Sequence, residues 1–158
     1  MLRNRKQSRA PKLIGDFGEG LVTYALIKGG YEVAHVDHVG ADLIAEKNGE
    51  RIAVSVKTRN RNTATKESEM VVISDDNLEK LKFFSSQFGM VPVFAQVICH
   101  SKTQSIHLFM IRVSDIETYM KKAEHGYSLS FGSRGIKAAK AISGMKYSCW
   151  EGEQIDVI

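Results

Sequence analysis

Apolar residues recur along the chain with helical and strand-like periods that divide it into segments. A helical period covers residues 13–28 and stops at Gly29-Gly30, where glycine is typical just past a helix end. Three strand-like runs follow, at residues 31–36, 41–46 and 51–58. Asn48-Gly49, between the last two runs, is a strong hairpin signal. The first third of the chain therefore predicts a helix followed by three short strands.

The rest of the chain continues this mixture of strands and helices. Residues 60–68 are polar and without pattern, which predicts a mobile loop, and residues 70–73 predict a brief extended piece. Asp76 with Glu79 resembles a capping box, and apolar residues at helical spacing lead from there to Gly89. Two strands are expected at 91–99 and 105–112, and Ser114 with Glu117 predicts a short helix through residue 122. A helix near 136–142 and a strand near 147–150 complete the order.

This order of elements predicts an α/β fold, a central mixed sheet flanked by helices. A chain of 158 residues suits one domain, which we place at residues 13–158 behind a flexible basic arm at 1–12. Cys99 and Cys149 form no CxxC pair, and this favours a reducing, cytoplasmic setting. No apolar run approaches the ~20 residues that cross a bilayer, so no membrane segment is expected.

The net charge is only +4, but the basic residues are clustered. The clusters are an N-terminal group (Arg3, Arg5, Lys6, Arg9, Lys12), a central group (Lys57, Arg59, Arg61, Lys66) and a third in the acid-free stretch 126–150. Any one cluster is as consistent with a solvated surface, but three together favour a polyanion, because each neutralised phosphate releases counterions. Nucleic acid is the expected partner, with Arg59, Arg61 and Lys66 as candidate phosphate contacts.

The candidate chemistry lies between Asp42 and Lys57. Residues two apart on a strand share a face, so Ser55 and Lys57 project together, opposite an apolar trio that forms the expected core side (Ile52, Val54, Val56). Asp42 is the acid at the start of an apolar strand, where a carboxylate is costly unless it binds something. Glu19 on the first helix is a candidate second acid. Such carboxylates hold a hard cation that activates water, and a lysine stabilises developing negative charge.

Three segments resemble the core motifs of PD-(D/E)XK nucleases: Gly15-Asp16-Phe17-Gly18-Glu19, Gly40-Ala41-Asp42-Leu43-Ile44-Ala45 and Val54-Ser55-Val56-Lys57-Thr58. Residues 81–92 are similar to the corresponding region of archaeal-type Holliday junction resolvases. The resemblance implies a restriction-endonuclease-like fold, Mg²⁺-dependent cutting of duplex or branched DNA, and a homodimer. It makes Asp42 the central metal ligand, Glu19 a supporting ligand, the carbonyl of Val56 a further ligand, and Lys57 the catalytic lysine.

Ser55 departs from the family pattern, which usually has Asp or Glu at this position. A serine is no charged ligand, although its hydroxyl can bind a metal-held water or a phosphate oxygen. Three interpretations stay open. Glu67 or Glu69 supplies the missing acid; or Glu19 and Asp42 suffice for one metal, with Mn²⁺ tolerated; or catalysis is lost. In the last case the chain is a catalytically inactive nucleic-acid-binding or structural protein that keeps the nuclease fold.

The site residues also have plainer explanations. Asp42 could pair with Lys57 or Arg51 as an ordinary strand-end acid, and Glu19 could stabilise its own helix near the N-terminus. His35, Asp37 and His38 suggest a metal site by residue type, but we interpret them as residues of a loop beside the active site.

Overall fold

A computed structural model of the chain describes residues 9–61, 69–101 and 103–152. The elements are α1 (Ala10–Lys28), β1 (Glu32–His38), β2 (Ala41–Lys47), β3 (Glu50–Arg61), β4 (Met70–Ser74), α2 (Asp75–Phe88), β5 (Val91–His100), β6 (Ser105–Arg112), α3 (Val113–Tyr119), β7 (Lys122–Ala123), β8 (Gly126–Ser130), α4 (Ser133–Lys140) and β9 (Lys146–Glu151). The predicted α/β class is confirmed. In the described part, no helix is long and apolar enough to cross a membrane.

Six strands form the central mixed sheet, in the order β1-β2-β3-β5-β6-β9. The pair β3 and β5 is parallel, and every other neighbouring pair in this sheet is antiparallel. Asn48 and Gly49 have φ angles of 53° and 85°, and they close the turn between Lys47 and Glu50. Positive φ at both turn residues is what a two-residue hairpin of this kind requires, so the Asn-Gly prediction is confirmed.

Strand β3 is buried on both of its faces. Ile52, Val54 and Val56 pack in a core that α1 covers, whereas Ala53 packs in a second core that α2 covers. Ser55 is also buried, with 5% of its surface exposed. The prediction that only the apolar trio faces a core is therefore wrong. A sheet with a helix on each face buries both faces of its central strands, and small side chains such as Ala53 and Ser55 leave room for the second helix.

A second, three-stranded sheet has the order β4-β8-β7. The expected extended piece at residues 70–73 is present as β4, but it pairs with β8, for which no strand was predicted. Tyr127 and Leu129 are buried and alternate with Ser128 and Ser130, a strand-like period that the predicted elements did not include.

Several predicted boundaries differ from the observed ones. Helix α2 is capped by the Ser74 hydroxyl, which accepts a hydrogen bond from the Asn77 amide at 3.3 Å, so the Asp76 capping box is wrong. No side chain caps α3, so the Ser114 capping box is wrong as well. Gly89 ends α2 with a φ of 61°, as predicted.

The two segments predicted to be mobile lie largely outside the described residues. Of the basic arm at 1–12, residues 1–8 lie outside, and Ala10 to Lys12 already belong to α1. Of the loop at 60–68, residues 62–68 lie outside, and Asn60 and Arg61 end strand β3.

Helix α1 packs closely on β3 through Gly18. A Cβ atom at Gly18 would lie 1.8 Å from the Thr58 hydroxyl oxygen and 3.0 Å from its Cβ. At Gly20, on the same helix, a Cβ would have no neighbour within 4 Å. Gly18 therefore sets the distance between helix and sheet, and Gly20 does not.

We expect opposite effects from alanine at these two glycines. Gly20→Ala should raise the free energy of unfolding by up to about 1 kcal/mol, because alanine favours an exposed helix position. Gly18→Ala should lower it by about 1–3 kcal/mol, because the added methyl forces α1 away from Thr58. Urea unfolding of both variants measures the difference. Equal stabilisation in the two would contradict the close approach at Gly18.

Candidate active site at the fork of two strands

The strands β2 and β3 separate at the position of Asp42. Their ladder ends at the pair Leu43 and Val54, while Ala41 pairs with His38 of β1. Beyond the last pair, the backbone amide of Val56 donates to Oδ2 of Asp42 at 2.6 Å. A buried amide needs an acceptor, and the carboxylate supplies it where the neighbouring strand no longer does. This bond fixes the carboxylate of Asp42 at the fork and leaves most of its lone pairs for other contacts.

Glu19 reaches the fork from α1, and 33% of its side chain is exposed. Burial raises the pKa of Glu19, and the negative charge of Asp42 raises it further. The ring of His35 opposes these effects, with Nδ1 at 3.7 Å from a carboxylate oxygen of Glu19. The carboxylates of Glu19 and Asp42 therefore lie close enough for the charge of one to act on the other. Within the described residues, no ion pair joins Asp42 to Lys57 or Arg51, the plainer partners considered above.

Lys57 follows Val56 on β3 and is half-buried. Ser55 and Lys57 occupy alternate positions and share the face of Ala53. On β5, Gln96 is paired with Lys57 in register and is 2% exposed. Its side-chain nitrogen donates to the carbonyl oxygens of Lys57, at 3.0 Å, and Val97, at 3.1 Å.

Gln96 was not among the predicted site residues. Its amide fixes the backbone of β3 at the level of the candidate catalytic lysine. The signal for it in the sequence is a single amide side chain within an otherwise apolar strand, which must find partners when it is buried.

The structure does not bring the proposed substitute acid Glu69 to the fork. Its carboxylate lies against Gly132, where a Cβ atom would be 2.0 Å from Oε2, and its backbone oxygen accepts from the Phe131 amide at the second sheet. Glu67 lies outside the described residues. Among residues 9–61, 69–101 and 103–152, no three His, Cys, Asp or Glu side chains are arranged to hold a metal ion together.

The interpretation of His35, Asp37 and His38 as loop residues is wrong, because all three lie in strand β1. His35 lies within the strand predicted at 31–36, and Asp37 and His38 lie beyond it. The strand continues past Val36 because it pairs with β2 as far as His38 and Ala41. The His38 ring accepts from the Gly40 amide at 3.0 Å and packs on Phe84. His35 instead faces α1, where its ring contacts Glu19 and Thr23.

The predicted phosphate contacts have different surroundings. Arg59 is exposed, and its guanidinium donates to the Thr58 carbonyl at 3.2 Å. Arg61 lies over the ring of Phe131, 5.7 Å from the ring centre, and donates to the Met70 carbonyl at 3.4 Å. Arg61 therefore links β3 to the second sheet. Lys66 lies outside the described residues.

Comparison with known proteins supports the fold. No family model matches the sequence, and no curated protein matches it. The chain is similar in structure to Hjc of Archaeoglobus fulgidus, a Holliday junction resolvase from an archaeal hyperthermophile. The TM-score is 0.54 at 19% sequence identity, over 73% of this chain and 83% of that chain. The likeness shows a nuclease-like fold, in agreement with the resemblance found in the sequence.

Because the pKa of Glu19 is raised, replacing its carboxylate by a neutral group should raise the free energy of unfolding, by an amount that depends on pH. Protonated Glu19 favours the folded state, and this contribution is lost as pH rises from the usual value of 4.5 through the raised pKa. Glu19→Gln should therefore be more stable than the parent near pH 7, and the gain should shrink towards pH 4.5. Urea unfolding across this pH range measures it. Glu46→Gln is the control, because Glu46 is an exposed acid on β2. If the stabilisation by Glu19→Gln does not vary with pH, the raised pKa of Glu19 is contradicted.

Proposed function

We propose that this chain is a metal-dependent endonuclease of the PD-(D/E)XK type that hydrolyses phosphodiester bonds in duplex or branched DNA. The observation that carries the proposal is the nearness of the Asp42 and Glu19 carboxylates at the fork of β2 and β3, beside Lys57. The nuclease-like fold supports this proposal.

The two carboxylates fit a hard divalent cation. Burial, and then the negative charge of Asp42, raise the pKa of Glu19, and a cation bound between the two carboxylates would oppose both effects. We propose Asp42 and Glu19 as ligands of Mg²⁺, with Mn²⁺ as a substitute and the carbonyl of Val56 as a further ligand. The cation, when bound, would polarise the phosphodiester and activate a water molecule.

The side chains of β3 would act on the substrate from a fixed backbone. The ammonium group of Lys57 would orient the attacking water or stabilise negative charge on the phosphoryl oxygens. Gln96 holds the backbone of Lys57 to β5, so the lysine stem starts from a defined position. Ser55 would contribute a hydrogen bond to the site but no charge.

Of the interpretations of Ser55, we propose a single-metal site built on Asp42 and Glu19. Glu69 lies at Gly132, and Glu67 lies outside the described residues. The alternative function is a catalytically inactive nucleic-acid-binding or structural protein, and the missing acid at Ser55 is the observation in its favour. A homodimer stays a prediction from the sequence resemblance.

The proposal predicts cleavage that depends on Asp42 and Lys57. The chain should cut plasmid, linear duplex or four-way junction DNA in Mg²⁺ or Mn²⁺. Asp42→Asn and Lys57→Met should each reduce the cleavage rate on the order of 10²-fold or more, because each removes a group that stabilises charge in the transition state. Gel assays with labelled substrates measure the rates.

Glu46→Gln and Lys47→Met are the matched controls, since both residues are exposed at the hairpin end of β2. They should leave the cleavage rate within about twofold of the parent. If no substrate is cut, or if Asp42→Asn cuts as fast as the parent, the endonuclease proposal fails.

DNA binding should depend on Arg59. Arg59→Ala should weaken binding to any sequence and reduce the slope of log affinity against log salt by about 1, as expected for one phosphate contact. Fluorescence anisotropy at several salt concentrations measures both quantities. Arg51→Ala, at the other end of β3, is the control. Unchanged affinity after removing Arg59 and Lys66 together would favour the structural alternative.

A further inference from the structure

Helix α4 presents three basic side chains on one side. Arg134, Lys137 and Lys140 follow one another at intervals of three residues, and all three are exposed. At about 3.6 residues per turn, this spacing keeps them within an arc of about 120° around the helix axis. Ile136 and Ala139 lie outside this arc and pack against the core that α2 covers. We call the three exposed side chains the α4 basic face.

No acid of the described residues pairs with the α4 basic face. Elsewhere the chain joins surface cations to its own acids, as Lys80 is joined to Asp76. None of the ion pairs in the described part of the chain includes a residue of the α4 basic face. Lys140 lies over the ring of Tyr147, 5.4 Å from the ring centre, and keeps its charge there. The face is therefore a local excess of positive charge.

The position of Arg134 does not stabilise the helix itself. The N-terminus of a helix carries a partial positive charge, which disfavours a cation in the first turn. Arg134 lies in that turn, whereas Lys137 and Lys140 lie in the last turn, where the dipole favours them. The carboxylate of Glu69 lies beside Gly132 at the start of the helix, but it forms no ion pair with Arg134. An external anion is thus the partner that suits Arg134.

The α4 basic face continues a row of cations that starts at the candidate active site. Lys57, Arg59 and Arg61 occupy alternate positions of β3 and share one face of the sheet, the face on which α2 and α4 pack. Arg61 lies over the ring of Phe131, two residues before α4 begins. At about 3.3 Å per residue, Arg61 lies roughly 13 Å along β3 from Lys57, about the length of four base pairs of duplex DNA.

We propose that the α4 basic face is a second DNA contact surface, which binds phosphates of the duplex arm that extends from the candidate active site past Arg61. This inference rests on the proposed function and names the part of the substrate that is held away from the cut. Three cations would neutralise about three phosphates without preference for sequence. They would strengthen binding and leave the chemical step unchanged, because they lie beyond the reach of the reacting phosphate.

The test is DNA binding by the full chain in EDTA, which prevents metal-dependent cleavage. Fluorescence anisotropy with a linear duplex and with a four-way junction gives the affinity at several salt concentrations. The triple variant Arg134→Gln, Lys137→Gln and Lys140→Gln should reduce the slope of log affinity against log salt by about 2–3, and should weaken binding about 10- to 100-fold at physiological salt. Lys137→Gln alone should reduce the slope by about 1.

The matched control removes the same charge at the hairpin end of the sheet. It carries Lys28→Gln, Lys47→Gln and Arg112→Gln, all at exposed positions. Lys47 donates to the Gly29 carbonyl, next to Lys28, and Arg112 pairs with Glu50 at the β2–β3 hairpin. The control should change the salt slope by less than about 1. A thermal melt of each variant shows that the fold is kept.

The outcomes distinguish this inference from the proposed function. If the triple variant on α4 binds like the control while Arg59→Ala weakens binding, the α4 inference is overturned and the proposed function stands. If the parent binds DNA but cuts none, the endonuclease proposal fails, and the salt slopes still decide the role of α4. If the parent binds no DNA, both fail.

Cleavage rates give a second readout. At saturating DNA, the triple variant on α4 should keep the maximal rate of the parent within about twofold and should need more DNA to reach half of it. A fall in the maximal rate with unchanged affinity would place α4 in the chemical step and overturn its role as a binding surface.

Discussion

A central strand with buried faces must pair its backbone polar groups, and this requirement organises the candidate site. On β3, residues 50–54 pair with β2 and residues 52–61 pair with β5. At the fork β2 turns away, and the carboxylate of Asp42 accepts the hydrogen of Val56 in its place. On the other side, the amide of Gln96 donates to the carbonyl of Lys57. The side chains of Asp42 and Gln96 therefore satisfy backbone groups of β3 and also position the candidate catalytic residues. A substitution of Asp42 or Gln96 affects the stability of the fold as well as the proposed chemistry.

The second constraint is the close packing of α1 on β3. Gly18 lets the helix approach Thr58, and the next residue, Glu19, is thereby brought to the fork and partly buried. The pKa of Glu19 is raised there, because its charged form loses contact with water and lies near the negative charge of Asp42. Acids whose pKa is raised by burial and by a neighbouring charge are typical of functional sites, and this one connects the packing of the helix with the proposed chemistry.

Local signals in the sequence predicted part of this arrangement. The Asn-Gly turn fixes the register of β2 and β3, and with it the relation of Asp42 to Lys57, within one short hairpin. Contacts between segments that lie far apart in the sequence were not predicted. Strand β8 is defined by its pairing with β4, more than fifty residues earlier in the chain, and the burial of Ser55 depends on a helix that packs from another segment. Asp37 and His38 were assigned to a loop because they extend β1 past the predicted run at 31–36 without apolar alternation.

Ser55 changes the charge of the candidate site. A carboxylate at position 55 would be buried under the α2 side of the sheet and would add a third negative charge near Asp42 and Glu19. Without a cation, such a group destabilises the fold, since a buried charge is costly unless it is paired. A serine avoids that cost but lowers the charge available to a hard cation, whose affinity depends on the number of charged ligands. Under the proposed function, a serine at position 55 reduces the repulsion between the acids of the site and leaves the binding of a cation to Asp42 and Glu19.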